Sequence, residues 1–281
     1  MSNATILLLM NKETPDTTVA ELAEASTSSG GHLSCLIVGS GPSLPYSAYG
    51  IPPYGALNIP DDWGDEVEIA HQRQNQRVQE VKELLSRGDY SGDVQSAFCV
   101  SSEIRYHVAR KACVSDVAYV APNLRDTPEE WHEIAHGVLF QSPVGLMLNG
   151  RPEIQPKRVF VAWDGSTAAA RAVHLALPYL KASEDVIIGC FDPVTMPGAD
   201  GANPGSDVAA WLSHHRCRVT VSQFPSGGKE IALCIQDRAR ETGADLVVMG
   251  AYGHSRMLQA IFGGTTRTMT EQTEFPLFLA H

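Results

Sequence analysis

The sequence predicts an α/β protein made of two doubly wound, mostly parallel, five-stranded sheet modules in tandem, over residues 1–150 and 156–281. Three observations carry this prediction. Short, continuously apolar runs such as TILLLM (Thr5–Met10) and DVIIGCF (Asp185–Phe191) alternate with stretches of helical apolar spacing, the pattern of buried strands covered by helices on both faces. The plan of the second half recurs with lower fidelity in the first. A polar Gly/Pro stretch, NGRPEIQPK (Asn149–Lys157), separates the halves, as a linker would.

The elements follow in order. In the second half, RVFVAW (Arg158–Trp163) is a strand ended by Asp164-Gly165-Ser166, and a helix runs from Thr167 to Leu180. Asp185–Phe191 is the second strand, followed by a Gly/Pro/Asn/Asp loop to Gly205 and a short helix, Asp207–His215. Cys217–Phe224, a helix over Lys229–Thr242, the strand ADLVVM (Ala244–Met249), a helix over Thr265–Gln272 and a final strand, Pro276–Ala280, complete the module. In the first half, the expected strands are Thr5–Met10, Leu33–Val38, Val94–Val100, Ser115–Ala121 and Val144–Leu148. The expected helices are Thr18–Ser28, Glu66–Arg87, Ser102–Ala112 and Thr127–Phe140. Aligning the first strands places Asn11 opposite Asp164. The first half adds a Pro/Gly/Tyr-rich loop, Gly39–Gly64, read as a surface excursion. The apolar final strands suggest edge pairing, between the halves as a pseudo-dimer or between chains as a homodimer.

Composition narrows the function. A net charge of −11 over 281 residues argues against a nucleic-acid or anionic-membrane surface, which needs a basic face. No run approaches the roughly 18 apolar residues of a membrane span, and the N-terminus lacks the pattern of a secretory leader. The six cysteines form no CxxC pair. They read as reduced, buried, small apolar residues of a cytoplasmic protein.

One stretch is richest in chemistry, VVMGAYGHSRMLQAIFGGTTRTM (Val247–Met269). Gly250 sits at the carboxyl end of a strand, where open parallel sheets bind ligands. Gly263-Gly264 precedes a helix whose first N–H groups can face an anion. The plain alternative is a loop that needs positive φ values.

The spacing Gly250-x2-Gly253-x9-Gly263 is similar to the nucleotide-binding signature of the universal stress protein family, G-x2-G-x9-G-[S/T]. The resemblance extends to VFVAWDGS (Val159–Ser166) and GADLVVMGAYGHS (Gly243–Ser255). It covers residues 155–281 well and the first half through element order alone. It implies a Rossmann-like fold, ATP or a related adenine nucleotide as ligand, with or without Mg, and a stress-response role with unknown protein partners. It places Ala162, Asp164 and Cys190 on the nucleoside side, with Met249 and Gly250 flanking, and Gly253, Gly263, Gly264 and Thr265 at the phosphates. Asp164 reads equally as a turn or cap residue. Gly264 stands where the signature has a hydroxyl, so Thr265 or backbone N–H groups would have to replace it. A pure interaction module and a slow ATP hydrolase are the rival functions; His254 is the one candidate base near the phosphates.

Other motifs carry less. HEIAH (His132–His136) fits the zinc pattern H-E-x-x-H, but no third ligand is evident and any amphipathic helix can produce it. PSGGKE (Pro225–Glu230) lacks the first Gly and the final Ser/Thr of a phosphate loop.

Overall fold

The computed structural model describes residues 3–42, 59–195, 203–251 and 264–281. The first half contains strands β1 (Thr5–Met10), β2 (His32–Ser40), β3 (Gly92–Cys99), β4 (Val117–Val120) and β5 (Gly145–Leu148). Its helices are α1 (Asp16–Ser28), α2 (Trp63–Arg87), α3 (Ile104–Ala112) and α4 (Pro128–Gln141). The second half contains β6 (Arg158–Ala162), β7 (Asp185–Phe191), β8 (Val219–Phe224), β9 (Leu246–Gly250) and β10 (Leu277–Ala280). Its helices are α5 (Thr167–Leu175), α6 (Leu177–Ala182), α7 (Ser206–His214), α8 (Ile231–Thr242) and α9 (Gly264–Glu271). Most of the Gly39–Gly64 loop lies outside the described residues.

The strands form one ten-stranded sheet in the order β3-β2-β1-β4-β5-β10-β9-β6-β7-β8. Each half thus repeats the doubly wound order, and all pairs are parallel except the central one. There β10 meets β5 antiparallel, with Leu277 opposite Leu148 and Leu279 opposite Leu146. The two expected five-stranded sheets are therefore continuous. Both seam strands are apolar and buried along their whole length, so the paired edge removes backbone groups from water together with the side chains. Gly145 makes room at the seam, since a Cβ there would lie 2.0 Å from the ring of Phe278. Polar ties flank the strands. Asn149 donates through Nδ2 to the carbonyls of Gln272 and Phe275, and Arg125 donates to the Gln272 carbonyl as well.

The helix expected over Thr167–Leu180 is divided at Ala176, with Pro178 in the first turn of α6. Proline fits a first turn, where its missing N–H costs nothing. Helix α2 starts at Trp63, earlier than Glu66, with acidic Asp65 and Glu66 in its first turn. Those carboxylates suit the positive end of the helix.

The linker packs against the core. Tyr179 donates its hydroxyl proton to the Pro152 carbonyl at 2.8 Å, and Arg151 pairs with Glu21 of α1. Neither carboxylate oxygen of Glu153 is exposed or hydrogen-bonded. Burial raises its pKa above the ordinary glutamate value, partly offset by the nearby charge of Arg151. None of the six cysteines forms a disulfide, but the expectation of burial holds for Cys35, Cys190, Cys217 and Cys234 alone. Cys99 is half-buried and Cys113 is exposed, because Cys113 follows the last turn of α3 rather than lying inside a strand. Among the described residues, no helix is long and apolar enough to cross a membrane.

Candidate functional site

In a doubly wound sheet the crevice opens where strand order reverses. In the second half that point lies between β6 and β9, paired in register with Ala162 opposite Met249. After Ala162 the chain turns. Asp164 Oδ1 accepts the Ser166 N–H at 3.0 Å, and Gly165 adopts φ +73°. Ser166 Oγ accepts the Ala169 N–H at 3.1 Å and caps α5. The cap is therefore Ser166, while Asp164 sets the turn and stays exposed at the rim.

A cavity of about 700 Å³ opens beyond the ends of β6 and β7, lined by Asp164, Ser166, Cys190, Asp192, Asn203 and Asp207 among others. Three carboxylates face one space. Asp192, at φ +44°, accepts the Ser226 N–H at 2.9 Å. Hydrogen bonds from the Ser226 side chain and backbone hold its pKa below the ordinary carboxylate value. Cys190 is buried at 2% exposure. Such a lining accepts hydrogen bonds from hydroxyl and amino groups and repels anions.

Asp164 and Cys190 are the predicted residues that meet in this cavity. Ala162, Met249 and Gly250 lie beside it at the strand ends and do not line it. Gly250 has a steric requirement of its own. A Cβ there would come 2.4 Å from the Ala169 nitrogen and 2.7 Å from the Ala168 carbonyl carbon. Its absence lets the first turn of α5 sit on the end of β9, so the residue serves packing and not a positive φ. Gly264 opens α9 and is exposed, while Thr265 is half-buried. Among the described residues, a Cβ on Gly264 would meet only Glu230 Oε1, at 4.0 Å. Gly253 and Gly263, like His254, lie outside the described residues.

Sequence reasoning missed Asp192, Asp207 and Glu230 as neighbours of the site. Glu230 precedes α8, and its Oε1 accepts the Thr268 hydroxyl at 2.6 Å in the first turns of α9. The signal for the two aspartates was present, because both sit at the carboxyl edge of the sheet, one ending β7 and one opening α7.

At the corresponding point of the first half, side chains bridge the ends of β1 and β4, and a smaller cavity of about 270 Å³ lies beside them, lined by Asn11, Val38, Ser40, Gln74 and Glu130 among others. Asn123 Nδ2 donates to Asn11 Oδ1 at 2.7 Å, and Thr14 Oγ1 donates to Asn123 Oδ1 at 3.0 Å. Asn11 Oδ1 also accepts the Glu13 N–H at 3.0 Å. Asn11 and Thr14 are buried, at 5% and 2% exposure. Asn11 thus stands opposite Asp164 but is tied to Asn123 and Thr14.

The HEIAH helix holds its glutamate in an ion pair. Arg105 makes a two-pronged contact to Glu133, with Nη2 at 2.8 Å from Oε1, which removes it from service as a base. Burial and then the Arg105 charge keep His136 below the ordinary imidazole pKa. Among the described residues, no group of three His, Cys, Asp or Glu is arranged to hold a metal ion.

Comparison with known proteins fits this geometry. The model of the universal stress protein family matches residues 156–281. The second half of the chain belongs to the universal stress protein family. The fold of the whole chain is similar to that of a universal stress protein from Archaeoglobus fulgidus, at TM-score 0.64 and 16% identity over 98% of this chain and 95% of that one. A putative universal stress protein from Pseudomonas aeruginosa gives TM-score 0.54 and 16% identity over 99% and 93%. A functionally unknown protein from the same species gives 0.58 and 12% over 99% and 92%. No curated protein matches the chain. The tandem universal stress protein arrangement therefore rests on a sequence match in the second half and on fold in the first.

Proposed function

We propose that the second module is a regulatory site for an adenine nucleotide, ATP or a close relative with or without Mg, in a cytoplasmic stress-response protein with unknown protein partners. The observation that carries this reading is the cavity beside the β6/β9 reversal, with Asp164 and Cys190 in its wall. Its carboxylates suit ribose hydroxyls and the adenine amino group. The phosphates belong instead near α9, where Gly264 and Thr265 present backbone N–H groups at a positive helix end. The proposed reading is binding rather than turnover. The first module is assigned no second nucleotide, because Asn11, in the place of Asp164, is engaged by Asn123 and Thr14, and the cavity beside it is smaller, about 270 Å³.

Calorimetry with ATP on the intact chain tests the reading. Expected is one nucleotide per chain, with affinity lowered in Asp164→Ala and abolished in Gly263→Val/Gly264→Val. Two nucleotides per chain, or binding that survives the double substitution, contradicts it. The absence of any nucleotide binding would favour the rival reading, an interaction module, to which the missing hydroxyl at Gly264 lends support.

A further inference from the structure

A second cavity, of about 860 Å³, lies at the seam between the halves, between the end of α4 with the start of β5 and the outer face of α5. We propose that it binds a small organic anion with an apolar body, independently of the nucleotide crevice. Its wall combines the apolar side chains Phe140, Val144 and Leu175 with Arg171, His174 and His281. Among the described residues no carboxylate side chain lines it, although the chain carries a net charge of −11. The one cation and both imidazoles gather on one side of a pocket whose remaining surface is mostly apolar.

The polar side is held in place. Arg171 donates through Nη1 to a carboxylate oxygen of the terminal residue, His281, at 2.9 Å, which positions a guanidinium fork that has four further N–H donors. His281 Nδ1 lies 2.8 Å from the Ala251 carbonyl, and the Phe140 ring lies 4.5 Å from the His281 ring. His174 Nδ1 lies 2.9 Å from the Ala170 carbonyl, and its ring rests against Trp211 at 4.4 Å. Size, an apolar floor and a few fixed polar groups at a junction of two units are the usual attributes of a small-molecule site. A charged fork beside aromatic surface selects a carboxylate, sulfonate or phosphate joined to a ring or a short hydrocarbon. The site exists only in a chain that contains both halves, since α4 and β5 form one wall and α5 the other.

Fluorescence titration of the intact chain with 8-anilinonaphthalene-1-sulfonate and with its uncharged analogue N-phenyl-1-naphthylamine tests the proposal. The sulfonate is expected to bind saturably at one per chain. Arg171→Gln, on an exposed side chain where folding is little affected, should weaken the sulfonate roughly tenfold or more and leave the neutral dye unchanged, the discrimination expected of a charged hydrogen bond. Ala170→Trp, which fills the pocket, should remove both dyes while circular dichroism stays native. Saturating ATP should not displace the sulfonate. Equal affinities of wild type and Arg171→Gln for the sulfonate overturn the proposal, as does displacement by ATP.

Discussion

Gly250, Asn11 and Asp164 show how little a residue's type says about its job until its neighbours are known. Gly250 belongs to a nucleotide signature by spacing, yet the Ala168–Ala169 backbone demands it on steric grounds. Gly250→Ala should therefore cost about 1–3 kcal/mol or more, as overpacking does, read as a lower urea midpoint without any ligand present. Unchanged stability would show that α5 can move away. Gly264 is the opposite case. No described residue crowds it, so Gly264→Ser should fold normally and raise ATP affinity by roughly two- to tenfold, the value of one added hydrogen bond. An affinity equal to wild type would mean that backbone N–H groups and Thr265 already suffice. The aligned pair Asn11 and Asp164 was legible in sequence as equivalent positions. That one is bridged to the end of the next strand and the other sets a turn at the rim of its cavity was not, because the partners Asn123 and Ser166 are set by the fold and by local turn chemistry respectively. In the same way, HEIAH gave no hint of Arg105, which lies on a different helix and claims Glu133.

At the scale of elements, periodicity located every described strand and nearly every described helix, since the inner strands are buried on both faces and the helices have an apolar stripe. The errors sit at ends and joints, where capping and proline chemistry decide. The break at Ala176 before Pro178 is one; the early start of α2 at Trp63 is another, where the indole N–H reaches the Pro42 carbonyl at 3.2 Å. The linker gives a pH test. Glu153 has a folded pKa above its unfolded value, so the folded state holds that proton more tightly. Its burial therefore costs no charge at low pH, and the cost grows as pH rises from the ordinary glutamate value, about 4, through the raised one. Glu153→Gln removes this dependence. The melting temperature of the variant relative to wild type should be higher at pH 8 than at pH 4. A difference that does not vary with pH would mean that Glu153 finds a partner in solution.

At the scale of the molecule, the sequence announced two similar units and left open whether their last strands pair with each other or with another chain. The seam settles this for the structure, with β5 and β10 side by side. Its tightest point is Gly145 against Phe278. Gly145→Val should strain the seam by about 1–3 kcal/mol and loosen the coupling of the halves. Trp63 and Trp131 report on the first half, and Trp163 and Trp211 on the second. Urea unfolding followed by fluorescence of variants that keep one pair or the other should give coincident transitions in the parent and separated ones with Gly145→Val. Coincident transitions in both would mean that helix contacts and the polar ties at Asn149 and Arg125 hold the halves together without the strands.

A strand has two rows of backbone bonds and no third. β5 spends one row on β4 and the other on β10, and β10 spends its rows on β5 and β9. The two strands most suited to recruiting another copy are thus saturated from within. Among the described strands, the rows left open belong to β3 and β8, at opposite ends of the sheet. Both are partly exposed along their length. Any assembly that grows by strand addition must begin at one of these two margins, and two such margins on one chain permit an open row of molecules as readily as a closed pair.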